Sequence, residues 1–230
     1  MAYYPILMDL EGKRVLVVGG GGVAERKVRT LLEFGAEVDV VSRELSPSLE
    51  ALAAEGHVRH VGREFEPAHL EGAVLVVAAT DDAGANRRVS AACRKQGVPV
   101  NAVDQPADCT FIVPAVVRRG DLLLAVSTSG RSPALARAVR EELETRFGPE
   151  YADFLALMGS VREEVIARGE DQKANQAVFE ALVRSGLLEA VREKDWTSAA
   201  GILAEVLGTT WHEADVLSRL ENGERRTSWR

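Results

Sequence analysis

Cysteine is scarce in this chain: only Cys93 and Cys109 occur among 230 residues. Two cysteines that lie far apart, with no histidine beside them, make neither a disulfide framework nor a metal-binding motif. We therefore predict no metal site. Aromatic residues make up 5% of the sequence, which argues against a surface that binds nucleic acid by stacking on its bases.

The chain also lacks an excess of positive charge and a long apolar run. Its formal net charge is −7, which disfavours binding to nucleic acid or to an anionic membrane surface. No apolar run reaches the roughly 18 residues of a membrane-spanning helix. The first residues lack the basic region and cleavage site of a signal peptide. These absences predict a cytoplasmic protein that binds neither nucleic acid nor membranes.

A run of four glycines is the most informative feature that is present. The apolar segment Val15–Val18 leads into it, and a segment with helical spacing follows it. Gly19, Gly21 and Ala24 fit the pattern G-x-G-x-x-A, with which a helix N-terminus receives the pyrophosphate of a dinucleotide. The alternative is a glycine-rich turn that binds nothing, but the strand before it and the helix after it favour a cofactor site.

Strands and helices alternate through the first hundred residues. Such alternation predicts an α/β fold with a parallel sheet and right-handed crossovers. Apolar runs without a polar alternation suit strands that are covered on both faces. The predicted strands are 14–18, 37–42, 57–61, 73–79 and 98–102, and the predicted helices are 23–34, 47–55 and 84–96.

The pattern changes after Asp104. Two β-rich segments, 110–117 and 122–127, predict a hairpin with its turn at 118–121. A long helix follows, capped by Ser132 and ending near residue 147. The remainder is helical, with breaks at Gly169, Gly186 and Gly208. We predict a Rossmann-type nucleotide-binding domain over 1–113, a hairpin with a long helix over 114–150, and a helical domain over 151–230.

The end of the second predicted strand bears on the choice of cofactor. A Rossmann domain that binds NAD usually has an acidic residue there, which holds the ribose 2′-hydroxyl. Here the strand ends in Ser42, Arg43 and Glu44. Glu44 or Ser42 could bind the ribose, whereas Arg43 could stack on adenine or bind a 2′-phosphate. The residues alone leave NAD and NADP both open.

Two more loops follow predicted strands. Thr80 and Asp81 come after the strand at 73–79, along the expected crevice, and Asp81 or Asp82 could instead cap the next helix. Asp104 follows the strand at 98–102, at the edge of the sheet where ligands bind. It could act as a general base, or it could only cap a turn.

A polar loop joins the hairpin to the long helix. Hydroxyl groups, free N–H groups, a helix dipole and an arginine converge there, which suits an anion such as a carboxylate. Ordinary helix capping explains Ser132 but not the rest. The candidate ligand-binding residues are Thr128, Ser129, Gly130, Arg131 and Ser132.

Five sequence blocks together resemble the precorrin-2 dehydrogenase family, which forms the N-terminal part of siroheme synthase and also exists as a free-standing protein. They lie at 18–27, 78–82, 101–104, 111–115 and 127–136. They occur in the family's order and spacing over about residues 1–150, whereas residues 160–230 match only loosely.

The resemblance implies NAD-dependent oxidation of precorrin-2 to sirohydrochlorin in siroheme biosynthesis. Some members also act as ferrochelatases and insert Fe²⁺ into the product. The family's essential aspartate corresponds to Asp104, and its NAD contacts correspond to Gly22, Val23, Arg43 and Glu44, which favours NAD as the cofactor.

The resemblance also implies a homodimer that forms through the segment after the Rossmann domain, with the active site between that segment and the domain. Precorrin-2 carries eight carboxylates, which Arg131, and with it Arg118, Arg119 and Arg137, would bind. A serine that is phosphorylated in some siroheme synthases is Thr128 here.

Two other functions compete with this one. A redox-sensing regulator that binds NAD without catalysis, and dimerises through its helices, would keep the glycine loop but would not need Asp104. A dehydrogenase of another substrate could also use the same fold. The ordered blocks argue against both.

Overall fold

The computed structural model describes residues 3–169 and 171–227, with side chains described as far as Glu221. The chain divides into two compact units, and the boundary lies between Val113 and Pro114. The outer limits of the predicted domains, residues 1 and 230, lie outside the described residues. Within those residues no helix is long and apolar enough to cross a bilayer.

The first unit is a five-stranded parallel sheet with helices between its strands. The strand order is β3-β2-β1-β4-β5, and the predicted Rossmann-type fold is confirmed. Short 3₁₀ turns lie at Pro67–Leu70 and Pro106–Asp108. The elements are β1 Arg14–Val18, α1 Gly22–Glu33, β2 Glu37–Val41, α2 Pro47–Ala54, β3 Val58–Gly62, β4 Leu75–Ala78, α3 Ala83–Gln96 and β5 Val100–Ala102.

The sheet is buried on both faces, which explains the apolar runs. Along β1, Val15 and Val17 pack into one core cluster, whereas Leu16 and Val18 pack into the other. Asp39 in β2 is the charged exception, with 1% of its surface exposed. The Nε atoms of Arg14 and Arg59 each lie 2.7 Å from one of its two carboxylate oxygens, so the buried charge is paired.

The strand order reverses direction between β1 and β4. The chain leaves β1 towards β2 on one side of the sheet and continues from β4 to β5 on the other. At such a switch point the loops after neighbouring strands diverge and open a crevice at the carboxyl ends of the strands. The glycine loop and Thr80 follow these two strands.

The second unit opens with a two-stranded antiparallel hairpin. Its strands are β6, Ala115–Arg119, and β7, Leu122–Val126, in which Arg119 pairs with Leu122. The predicted strand at 110–117 and turn at 118–121 are therefore wrong. Gly120, with a φ of +56°, permits a two-residue turn that suits the twist of the strands, so β6 continues to Arg119.

Arg119 joins the hairpin to the following helix. Its guanidinium donates to the carbonyl oxygens of Phe147 and Glu144, at the C-terminal end of the helix α4, Pro133–Arg146. These carbonyls have no partner within the helix, so Arg119 satisfies them and complements the helix dipole. Its assignment to substrate carboxylates is replaced by this structural role.

The described part of the second unit also contains six helices, of which α5 to α9 share an apolar core. Leu157, Leu182 and Leu203 are fully buried in it. The breaks at Gly169, Gly186 and Gly208 are present, and a further break at Lys194 separates α7 from α8. The helices are α4 Pro133–Arg146, α5 Glu150–Ala167, α6 Gln172–Arg184, α7 Leu187–Glu193, α8 Trp196–Leu207 and α9 Glu213–Thr227.

Candidate functional site

A cleft of about 1260 Å³ lies in the first unit, along the carboxyl ends of its strands. This volume exceeds the roughly 300–1,000 Å³ of ordinary small-molecule sites. The predicted residues of the first unit all line it: Gly19, Gly21, Gly22, Val23, Ser42, Arg43, Glu44, Thr80, Asp81 and Asp104. The fold thus brings together residues that are up to 85 positions apart in the sequence.

The glycines of the loop divide into two pairs. Gly19 has a φ of +131°, and a Cβ there would overlap the carbonyl of Ala79, after β4. A Cβ on Gly20 would overlap the carbonyl of Glu44, after β2. Gly21 and Gly22, in contrast, have open space where a Cβ would stand. The first pair therefore lets the loop pack against its neighbours, and the second leaves a bare surface for a ligand.

The N-terminus of α1 faces the cleft without a side-chain cap. Gly21 is its N-cap and supplies no hydrogen bond from a side chain. The first N–H groups of a helix have no partner within it, so they and the dipole favour a bound anion. Ala24, at the last position of the fingerprint, is fully buried and lets the helix pack closely on the sheet. These features fit a dinucleotide pyrophosphate.

The end of β2 is held by its own hydrogen bonds. The hydroxyl of Ser42 donates to the carbonyl of Glu44 at 2.6 Å, and Nη2 of Arg43 lies 2.7 Å from Oε1 of Glu64. Glu44 lines the cleft beside this pair. The guanidinium that could bind a 2′-phosphate is thus already paired with a carboxylate, which the sequence did not reveal.

Thr80 is fixed by Asn86, a residue that sequence reasoning missed. The Thr80 hydroxyl donates to Oδ1 of Asn86 at 2.8 Å, and Nδ2 of Asn86 donates to the Thr80 carbonyl at 3.0 Å. Asn86 is 1% exposed, and its amide therefore locks the loop after β4. The only available signal was a polar residue on the inner face of a predicted helix.

Of the two neighbouring aspartates, Asp82 is the helix cap. Its carboxylate accepts from the Gly84 N–H at 2.7 Å, and the N–H groups of Ala85 and Gly84 hold its pKa below the ordinary value. Asp81 is exposed and lines the cleft. The capping alternative is therefore realised at Asp82 and leaves Asp81 facing the open crevice.

Asp104 projects from the turn after β5 with a left-handed backbone, φ +58°. Aspartate tolerates this conformation better than most residues. The conformation is nevertheless uncommon for residues other than glycine, and such residues cluster at functional sites. Asp104 is exposed, and within the described part of the chain its carboxylate makes no hydrogen bond or ion pair. It is thus an accessible carboxylate that can accept a proton.

Gln105, next to it, was also missed. The residue lines the cleft, and its Oε1 atom is buried without a hydrogen-bond partner among the described residues. A buried acceptor without a donor is costly, of the order of 1–3 kcal/mol. Such an atom fits a site that a ligand completes.

The polar loop at 128–132 belongs to the second unit. Thr128 and Ser132 bond to each other: the Thr128 hydroxyl donates to the Ser132 carbonyl at 3.0 Å and accepts from the Ser132 N–H at 3.1 Å. The Ser132 hydroxyl also caps α4. Ser129, Gly130 and Arg131 are exposed, and no bond to the Arg131 guanidinium is found within the described residues.

No metal centre accompanies these residues. Among the described residues, no three His, Cys, Asp or Glu side chains are grouped so that they could hold a metal ion. Burial raises the pKa of the Cys93 thiol to about 11, and Cys109 bonds to the backbone at Ala102. Neither thiol is placed as a reactive group.

Comparisons with known proteins agree with this geometry. Residues 6–115 match the family described as "Putative NAD(P)-binding", and residues 119–146 match that described as "Sirohaem biosynthesis protein central". Siroheme synthase of Methylobacillus flagellatus is 44% identical over 207 residues, which cover 90% of this chain and 44% of that protein. The chain is thus similar to siroheme synthases over nine-tenths of its own length.

Other relatives give the same result. Siroheme synthase of Thioalkalivibrio sulfidiphilus is 40% identical over 209 residues, or 91% of this chain and 43% of that protein. The chain thus spans less than half the length of these curated relatives. A solved structure described as "SirC, precorrin-2 dehydrogenase" shares the fold, with a TM-score of 0.69 and 22% identity over 97% of this chain and all of that one.

Proposed function

We propose that this protein binds NAD in the cleft of its first unit and oxidises precorrin-2 to sirohydrochlorin, a step of siroheme biosynthesis. One observation carries the proposal: the cleft combines an open pyrophosphate cradle with the accessible carboxylate of Asp104. Similarity to siroheme synthases over 90% of the chain supports the choice of substrate.

The residues that would hold NAD are those of the cleft. The N–H groups at the start of α1 and the bare surface of Gly21 and Gly22 suit the pyrophosphate. Ser42, Arg43 and Glu44 are assigned to the ribose end, and Val23, Thr80 and Asp81 to the walls. Bound NAD supplies the hydride acceptor that an oxidation of this kind requires.

Asp104 is assigned as the general base. Oxidation of precorrin-2 removes two hydrogens, one as a hydride and one as a proton, and the free carboxylate of Asp104 can accept the proton. The same carboxylate is a hard oxygen ligand suited to guiding Fe²⁺. Insertion of Fe²⁺ into the product is therefore a further proposed step, with iron as a substrate.

The exposed part of the polar loop is assigned to the substrate's carboxylates. Arg131 offers a guanidinium free of bonds within the described residues, and the exposed residues Ser129 and Gly130 lie beside it in the loop. Thr128 and Ser132 contribute by shaping the loop, because their hydroxyls are already bonded.

A homodimer in the cytoplasm completes the proposal. The strand β7 begins with Leu122, Leu123 and Leu124, and all three side chains remain only half-buried. A two-stranded hairpin is marginally stable by itself, so an apolar hairpin of this kind favours a partner surface. These observations support dimerisation through residues 114–150.

The activity is tested by incubating the full chain with precorrin-2 and NAD⁺ in the absence of oxygen, so that NAD⁺ is the only oxidant. We expect the absorbance spectrum of sirohydrochlorin to develop together with NADH, and to change again when Fe²⁺ is added if the chain inserts iron. Omission of NAD⁺ is the control. A chain that binds NAD⁺ but leaves precorrin-2 unchanged would instead favour the redox-sensing alternative.

A further inference from the structure

The ion pair between Arg43 and Glu64 lies in the part of the cleft that follows β2. In Rossmann domains this position distinguishes the two dinucleotides, because an acid there holds the ribose 2′-hydroxyl of NAD, whereas an arginine accommodates the 2′-phosphate of NADP. Arg43 stands two residues after the last residue of β2. By itself it would favour NADP.

Glu64 reaches Arg43 from the neighbouring strand. It follows β3 by two residues, and its Oε1 lies 2.7 Å from Nη2 of Arg43. The ends of the two strands are bonded together, since the Ser42 N–H donates to the Gly62 carbonyl at 3.0 Å. The backbone therefore holds the carboxylate beside the guanidinium.

The pair is exposed, with 75% and 69% of the two side chains accessible. An exposed pair contributes little to stability. Its effect on a ligand is different, because a 2′-phosphate would have to approach a guanidinium whose charge is already balanced.

The other charges of the cleft act in the same direction. Its walls carry three arginines and five acidic residues. The additional phosphate of NADP would enter this negative field, whereas the neutral hydroxyl of NAD would not. The lining residues with charge are Arg43, Arg63, Arg88, Glu44, Glu64, Asp81, Asp82 and Asp104.

We propose that Glu64 makes this protein selective for NAD over NADP by occupying the guanidinium of Arg43. The inference rests on the proposed function, in that the cleft is taken to bind a dinucleotide. No acidic residue stands directly after the last residue of β2. Glu64, which follows β3, takes the place of that acid.

The test is calorimetric titration of the full chain with NAD⁺ and with NADP⁺. In Glu64→Gln we expect the affinity for NADP⁺ to rise about fivefold, the scale of one exposed charge pair, while that for NAD⁺ changes by less than about twofold. The gain should shrink at high salt, because exposed charges are screened. Glu71→Gln, an exposed site outside the cleft, is the charge-matched control.

A second variant isolates the role of Arg43. In an Arg43→Gln background, Glu64→Gln should no longer raise the affinity for NADP⁺, and a gain of the same size there would contradict the proposal. An NADP⁺-to-NAD⁺ affinity ratio that is the same in Glu64→Gln and in Glu71→Gln would also contradict the proposal. An unaltered chain that binds neither dinucleotide would contradict the proposed function itself. An unaltered chain that binds NAD⁺ but shows no effect of Glu64→Gln would contradict only the role of Glu64.

Discussion

In the glycine loop, some glycines allow close packing and others leave space for a ligand. Gly20 is a packing position, because the carbonyl of Glu44 and the hydroxyl of Ser42 occupy the space of its missing Cβ. Gly22 is a surface position, with nothing within 4 Å of the same point. Two glycines of the same loop therefore have different physical reasons to be glycine.

Alanine at these two positions should separate stability from binding. We expect Gly20→Ala to lose about 1–3 kcal/mol of unfolding free energy, because its Cβ forces backbone to move. Gly22→Ala should unfold within about 0.5 kcal/mol of the unaltered chain. Its affinity for NAD⁺ should nevertheless fall about tenfold or more, since the methyl group enters the ligand's surface. Urea unfolding and NAD⁺ titration check both, and a Gly22→Ala variant with full affinity would contradict the cradle.

Arg131 carries a second prediction at this scale. Its guanidinium is available for substrate carboxylates, so Arg131→Gln should raise KM for precorrin-2 by about tenfold and leave the Kd for NAD⁺ unchanged. Arg184→Gln is the charge-matched control, because Arg184 is an exposed arginine at the end of α6 and has no assigned role in binding. Equal KM values for the two variants would remove the polar loop from substrate binding.

At the scale of elements, two helix N-termini are tied together beside the cleft. The carboxylate of Glu25, in the first turn of α1, accepts a hydrogen bond at 2.8 Å from the hydroxyl of Ser46, the N-cap of α2. The bond to Ser46, followed by those to Ser48 and Arg29, holds the pKa of Glu25 below its ordinary value of 4.5. The connection holds the start of α1 beside the loop that follows β2.

A lowered carboxyl pKa fixes the sign of a pH effect. The stabilisation by Glu25 is present above pH 4.5 and is lost as the pH falls through the lower value of the folded state. Urea unfolding of Glu25→Gln should therefore show a deficit against the unaltered chain near pH 7 that narrows towards pH 3. The charge-matched Glu142→Gln variant, on α4, should show no such pH-dependent deficit, and a constant deficit in Glu25→Gln would contradict the account.

The elements also show what the sequence could and could not predict. Strands with apolar runs, the helix cap Ser132 and the glycine breaks were predicted because their signals are local. The hairpin turn was misplaced because Arg118 and Arg119 were taken for turn residues, whereas the two-residue turn at Gly120 and the distant carbonyls of α4 keep Arg119 in the strand. The end of α7 at Lys194, with a φ of +57°, was not predicted because no glycine stands there.

In the candidate site, too, residues with a local sequence signal were predicted and residues without one were missed. Residues next to the glycine loop or at strand ends were found, since motif and position marked them. Glu64 was missed because its partner Arg43 lies 21 positions away along the chain. Asn86 and Gln105 were missed because the sequence does not show that their amide groups are buried.

The whole molecule consists of two units, each with its own core. The first has the two faces of its sheet covered by helices, and the second has the core shared by α5 to α9. Chemistry is assigned to the first unit through Asp104. Substrate carboxylates and the dimer contact are assigned to the second.

The assembly is checked by light scattering after size-exclusion chromatography. With a chain mass of 24.9 kDa, a homodimer should have a molar mass of twice that value, about 50 kDa. A constant mass of one chain across a wide range of concentrations would contradict dimerisation through residues 114–150.

Turnover by Asp104→Asn tests the central claim most directly. Asparagine has the same shape and tolerates the left-handed backbone, but it cannot accept the proton. We expect kcat for precorrin-2 oxidation to fall about 10²- to 10⁴-fold, with the Kd for NAD⁺ unchanged. Asp121→Asn, in the hairpin turn, is the charge-matched control. Near-normal turnover in Asp104→Asn would contradict the account.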